Sequence, residues 1–224
     1  MKKLIILIIA VGLFLTLTTT ASALTWNEVG DSGQLISTAQ VTVGSGPLTE
    51  INGSIYDPMD VDLYEIFIND PAAFSGSMDW PIGTTDFVDA QLFLFDAVGV
   101  GVAFNDDSAG PDFRPEIPPG SAVQPTVPGI YYLGISAFDN MPVSSGGLIF
   151  TTSLDEPTGP DGPGAAFPLN GWTGANLNVE SFGPYSITLT GTSPSAVPEP
   201  STMLLLGTGL IGLAGWGRRK FKKR

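Results

Sequence analysis

Between residues 24 and 197 apolar and polar positions alternate in short runs. No stretch keeps a helical period, so the pattern predicts strands. In Tyr185-Ser-Ile187-Thr-Leu189-Thr every second residue is apolar, which places Tyr185, Ile187 and Leu189 on one strand face. Tyr131, Leu133 and Ile135 repeat the spacing, as do Tyr64, Ile66 and Ile68. Ile51 and Ile55 bracket Gly53 in a further strand, and residues 40–43 form another candidate. Gln91-Leu-Phe-Leu-Phe-Asp96 is apolar on both faces and reads as a central strand. Ala97-Val98-Gly99 then turns the chain toward a strand over 100–104.

About seven to nine short strands separated by turns predict an all-β domain, an antiparallel β-sandwich or jelly roll, over residues 24–192. Residues 106–128, with six prolines, and residues 155–172, rich in Pro and Gly, read as long surface loops. Residues 193–197 read as a short tether.

The two ends follow different patterns. Met1-Lys2-Lys3 precedes an apolar run from Leu4 to Leu17, and Ala21-Ser22-Ala23 supplies the small residues of a cleavage site. This predicts a secretory signal peptide over 1–23, removed by signal peptidase between Ala23 and Leu24. At the other end, Ser201 to Gly217 carries no charge. As a helix it would span roughly 25 Å, near the lower limit for crossing a bilayer. Six of the seven residues from Arg218 to Arg224 are Lys or Arg, and such a cluster stays cytoplasmic. Pro198 and Pro200 disfavour helix just before the span, which leaves an extended peptide outside the membrane. These features by themselves also describe an ordinary transmembrane anchor.

The order Val197-Pro198-Glu199-Pro200-Ser-Thr, then Leu- and Gly-rich apolar sequence, then Gly217-Arg-Arg-Lys resembles the PEP-CTERM sorting signal. The resemblance covers 197–224. It implies processing by exosortase, a membrane-embedded peptidase or transpeptidase of Gram-negative bacteria, with Pro198, Glu199 and Pro200 as the recognition motif. It further implies an exported protein, transiently held in the membrane and then delivered to the cell surface or extracellular matrix, among exopolysaccharide and biofilm.

Charge narrows the chemistry. The chain carries −13 overall. Setting aside Lys2, Lys3 and the net +5 of 198–224 leaves −20 on 24–197, where Arg114 is the sole cation. That excludes a nucleic-acid partner, which needs basic surface to meet phosphates. Self-repulsion on this scale calls for compensation, and cations supply it. An acidic surface also serves solubility alone. The chain has no His and no Cys. A His-dependent triad, a Cys nucleophile and the usual zinc sites are thereby excluded.

The acids cluster. Asp60 and Asp62 stand two apart at a strand entrance, so alternation sends both carboxylates to one side. Asp89 opens another strand, and Asp106 and Asp107 follow Asn105 in a loop. Calcium takes six to eight oxygens, and these residues could supply several. Turn chemistry is the competing account, because Asp and Asn side chains bond nearby backbone. Trp26, Trp80 and Trp172 are candidates for stacking on sugars or for core packing. Asn52-Gly53-Ser54 fits a glycosylation sequon but also a turn before a strand.

A second resemblance runs through the domain. Gly30-Asp31-Ser-Gly-Gln-Leu, Ile51-Asn-Gly-Ser-Ile55, Asp60-Val-Asp62-Leu-Tyr64, Asp89-Ala-Gln-Leu-Phe-Leu-Phe-Asp96, Asn105-Asp106-Asp107 and Gly129-Ile-Tyr-Tyr-Leu133 follow in an order similar to the bacterial pre-peptidase C-terminal domain. That family implies a β-sandwich, often calcium-stabilised, that accompanies secreted enzymes without being catalytic. The expectation is therefore a non-enzymatic surface or matrix protein. A carbohydrate-binding module and a carboxylate-dependent glycoside hydrolase are the alternatives.

Overall fold

The structure, a computed structural model, describes residues 22–80, 89–108, 114–151, 155–174 and 182–195. Residues 1–21 of the expected signal peptide, the Pro198-Glu199-Pro200 motif and the apolar tail lie outside them. Among the described residues no helix is long and apolar enough to cross a membrane.

The domain is all-β, with fourteen strands and a single 3-10 turn (Pro71–Ala73) among the described residues. In chain order the strands are β1 (Leu24–Asn27), β2 (Gln40–Val41), β3 (Leu48–Ile55), β4 (Val61–Ile68), β5 (Ser75–Asp79), β6 (Ala90–Asp96), β7 (Gly101–Asn105), β8 (Glu116–Ile117), β9 (Gly129–Ala137), β10 (Pro142–Ser144), β11 (Gly147–Leu148), β12 (Leu169–Trp172), β13 (Gly183–Thr190) and β14 (Thr192–Pro194). One sheet has the order β1-β3-β13-β5-β8. A second has the order β14-β4-β9-β6-β7, with β2 also on β4, and a third, small sheet is β11-β10-β12. Pairing is antiparallel except where β1 meets β3 and β2 meets β4.

The alternation read from sequence sets the layers. Ile51, Ile55, Met78, Tyr185, Ile187 and Leu189 of the first sheet join Tyr64, Ile66, Leu92, Leu94, Leu133 and Ile135 of the second in one buried cluster. Two sheets sharing an apolar seam is the layout of a β-sandwich. Strand β6 has neighbours on both sides, and its second apolar face has a separate cause. Phe93 and Phe95 point away from the sandwich into a second cluster with Val61, Leu63, Phe104, Tyr132, Ile149, Phe150 and Leu169. Trp172 closes that cluster edge-on to Phe93, with ring centroids 5.3 Å apart.

The two expected long loops are thus partly structural. Residues 155–172 contain β12 and cover the outer cluster, because the aromatic face of β6 must be shielded from water. Within 106–128, β8 adds a short edge strand to β5. Strand β14 continues the domain into residues expected to be tether. Gly191, at φ 69°, turns the chain from β13 in the first sheet to β14 in the second.

Candidate metal centres

Strands β4 and β6 run in the same direction, and β7 runs against β6. The entrances of β4 and β6 and the exit of β7 therefore share one end of the second sheet. All five carboxylates singled out in the sequence stand at that end, but not as one constellation. Sheet alternation parts them: Val61 and Leu63 belong to the outer cluster, so Asp62 and Tyr64 face inward, whereas Gln91 and Phe93 face outward. Two three-carboxylate groups result, each with carboxylate oxygens mutually within 4.8 Å. One is Glu28, Asp31 and Asp62; the other is Asp89, Asp106 and Asp107.

Asp60 belongs to neither triplet. Its Oδ2 accepts the Tyr56 N–H at 2.7 Å, and its own N–H donates to the Asp57 carbonyl at 3.0 Å. Here turn chemistry is the structural role. Burial raises its pKa, the Tyr56 N–H opposes that, and Asp31 and Glu28 add to the rise.

Asp62 is fully buried. Its Oδ2 accepts the Tyr185 hydroxyl at 2.6 Å, and the Tyr185 and Tyr64 hydroxyls lie 2.6 Å apart. Gly53 makes this possible: a Cβ there would collide with the Tyr185 oxygen and stand 2.7 Å from that of Tyr64. The glycine of the Asn52-Gly53-Ser54 sequence thus serves a buried tyrosine pair, and Asn52 itself donates to Asn27 across β1 and β3. Asp62 Oδ1 has no donor facing it. Burial pushes the Asp62 carboxyl up to about 9; the Tyr185 hydroxyl opposes this, and the Glu28 and Asp60 charges reinforce it. A protonated Asp62 resolves the orphan oxygen, because Glu28 is in hydrogen-bonding reach to accept that proton. Glu28 also accepts the N–H groups of Ser32 and Ser54, at 2.8 and 3.0 Å.

The second group is built differently. Asp89 precedes β6, and Asp106 and Asp107 follow β7, brought together by the β6–β7 pairing. Asp106 is 7% exposed and Gln91, one strand over, 3%. Asp106 Oδ1, Asp107 Oδ1 and Gln91 Oε1 are buried acceptors with no donor. Burial, then Asp107 and Asp89, push Asp106 up to about 7, against the Gln91 amide, which hydrogen-bonds it. Asp89 rises to about 6 through burial and then Asp107. Asp107 rises through burial and then Asp155.

Sequence reading missed Glu28, Asp31 and Gln91 as members of these groups. Asp31 and Gln91 lay inside quoted motifs, but only tertiary folding sets them beside the aspartates. The tryptophans are engaged: Trp26 Nε1 donates to Gln40 at 2.9 Å, and Trp172 Nε1 to the Gln34 carbonyl at 2.8 Å. Trp80 lies under the Arg114 guanidinium, 5.3 Å from the ring centroid. Arg114 also pairs with Asp79 at 2.9 Å.

No curated protein matches the chain. Among solved structures it is similar to PliG of Aeromonas hydrophila, a periplasmic lysozyme inhibitor of g-type lysozyme. The likeness has 9% identity and covers 75% of this chain and 100% of that one, at a TM-score of 0.28. So low a score carries no conclusion. A family model does match at the C-terminal end: residues 196–220 carry the PEP-CTERM protein-sorting motif, the mark of an exported protein handed to exosortase.

Proposed function

We propose that the chain is an exosortase substrate whose mature part is a non-catalytic, calcium-stabilised β-sandwich of the cell surface or matrix, in the setting of exopolysaccharide and biofilm. The sorting-motif match at 196–220 carries the sorting part of this reading. The motif, the apolar run and the basic end stand in the order that would hold a translocated chain in the membrane with Pro198-Glu199-Pro200 accessible outside.

Two further observations support it. Strand β1 begins at Leu24, the first residue left by the expected cleavage after Ala23, so the mature N-terminus is usable as a sheet edge. Of the motifs that resemble the pre-peptidase C-terminal domain, four fall on or at the entrance of β3, β4, β6 and β9, one ends β7, and the first lies between β1 and β2. A non-enzymatic role fits the second acidic group, whose carboxylates face one another and a buried Gln91. The carbohydrate-binding alternative would need a tryptophan to stack on a sugar, but Trp26 and Trp172 are held by hydrogen bonds and Trp80 lies under Arg114.

Mass spectrometry of the C-terminus, in cells with and without the sorting peptidase, tests the proposal. Truncation near Pro198–Pro200 only when the peptidase is present is the expected result. An intact tail in both would reduce the segment to a plain anchor.

A further inference from the structure

We infer that one calcium ion binds in the cradle of Asp89, Asp106, Asp107 and Gln91, on the outward face of the second sheet, and cross-links the entrance of β6 to the exit of β7. This rests on the calcium reading above and assigns its ligands.

Geometry comes first. Three carboxylates from two separate chain segments each present an oxygen, and these oxygens lie within 4.8 Å of one another. Two ligands on opposite sides of a calcium ion, each at about 2.4 Å, stand about 4.8 Å apart. The triplet already has the span of a coordination sphere.

Gln91 is the independent observation. It is not an acid, it belongs to neither turn, and it is 3% exposed at the start of a strand that is apolar from Leu92 to Phe95. Its amide holds Asp106, which fixes the carboxamide against the carboxylates. Yet Oε1 has no donor, and neither do Asp106 Oδ1 and Asp107 Oδ1. Buried acceptors left unmet destabilise the fold. A cation among the grouped carboxylates would meet several acceptors at once, whereas a proton on one carboxyl serves only one.

The donor set selects the ion. Carboxylate and carboxamide oxygens are hard ligands, and the chain has no His or Cys to attract softer metals. Magnesium demands near-octahedral geometry at about 2.0–2.1 Å and sheds water reluctantly. A loop-and-strand cradle of unequal reach suits calcium, with water completing the sphere. The Glu28–Asp31–Asp62 group does not compete on equal terms. Asp62 there already has Tyr185 on one oxygen and Glu28 in reach of the other.

The test is calorimetric titration of calcium into the full chain in detergent, with thermal unfolding followed alongside. Expected for the unaltered chain is one saturable site and a rise in Tm with calcium. Asp106→Asn should abolish both, and Gln91→Leu should weaken binding about tenfold. Asp62→Asn should leave binding intact. Asp107→Asn, at a less buried position, is the second arm and should lose the site with an unchanged circular-dichroism spectrum. Binding that survives at Asp106→Asn and Asp107→Asn but is lost at Asp62→Asn would overturn the assignment while sparing the calcium reading. No binding to the unaltered chain would overturn both, and the sorting reading would still stand on the C-terminal mass.

Discussion

The two acidic groups occupy the same end of the same sheet, one on each face, and solve the same electrostatic problem differently. On the inner face the Tyr185 hydroxyl meets one Asp62 oxygen, and burial favours the protonated carboxyl, with Glu28 in reach of the other. On the outer face three aspartates and Gln91 leave acceptors that the fold does not meet. Carboxylates held together must lose charge, either by taking protons or by sharing a cation. Which route is taken depends on the donors within reach, and composition does not reveal those.

The largest separation between the groups is expected in their response to pH without divalent cations. A carboxyl near 4 when unfolded and about 9 in the folded chain keeps a proton that the unfolded chain has released. The unfolded state then gains with each pH increment. The stability from Asp62 is complete below about pH 4 and is lost as the pH climbs through about 9. The expected slope is up to about 1.4 kcal/mol per pH unit. Asp106 and Asp89 add the same sign over narrower windows, ending near 7 and 6. Urea unfolding at pH 5 and pH 8 should show the loss, with Asp62→Asn flattening it most. A slope untouched by that substitution would contradict the proton-closed account.

The next effect is steric. Gly53→Ala places a methyl where two tyrosine hydroxyls meet. A cost of about 3 kcal/mol is expected from overpacking and the disturbed bonds. Equal stability in urea would show that the tyrosine pair can part freely.

Tyr185→Phe should cost about 2 kcal/mol, because it strips a donor from Asp62 and the partner from Tyr64. The loss should shrink in an Asp62→Asn background, since contacting residues do not add. Additive losses would break the proposed chain of bonds.

The smallest effect has the opposite sign. Without cations Asp106→Asn relieves repulsion from Asp107 and Asp89 and should raise stability by up to about 1 kcal/mol. The same change should cancel stabilisation by calcium. A destabilised variant that still responds to calcium would place the cation elsewhere.

Much of the fold was legible because strand periodicity is local. Tyr185, Ile187 and Leu189, and likewise Tyr131, Leu133 and Ile135, point into the sandwich as their spacing requires. Gln91 to Asp96 showed two apolar faces, but not that the second is covered by β12 and its neighbouring loops. The site was half legible. Asp89, Asp106 and Asp107 stand together, whereas Asp60 closes a turn and Asp62 faces the other way. Nothing local links residue 28 to residue 62, or 91 to 106, because those encounters depend on how strands pair.

Sequence alone determined what depends on composition and order: the PEP-CTERM motif at 196–220, the acidic character of the domain before it and the inward residues of β4, β9 and β13. Tertiary structure alone decided which acids meet, which are met by tyrosine hydroxyls, and which glycine must stay bare. Strand periodicity and sorting motifs need only neighbours along the chain. Burial and donor geometry arise only when distant segments exclude water together.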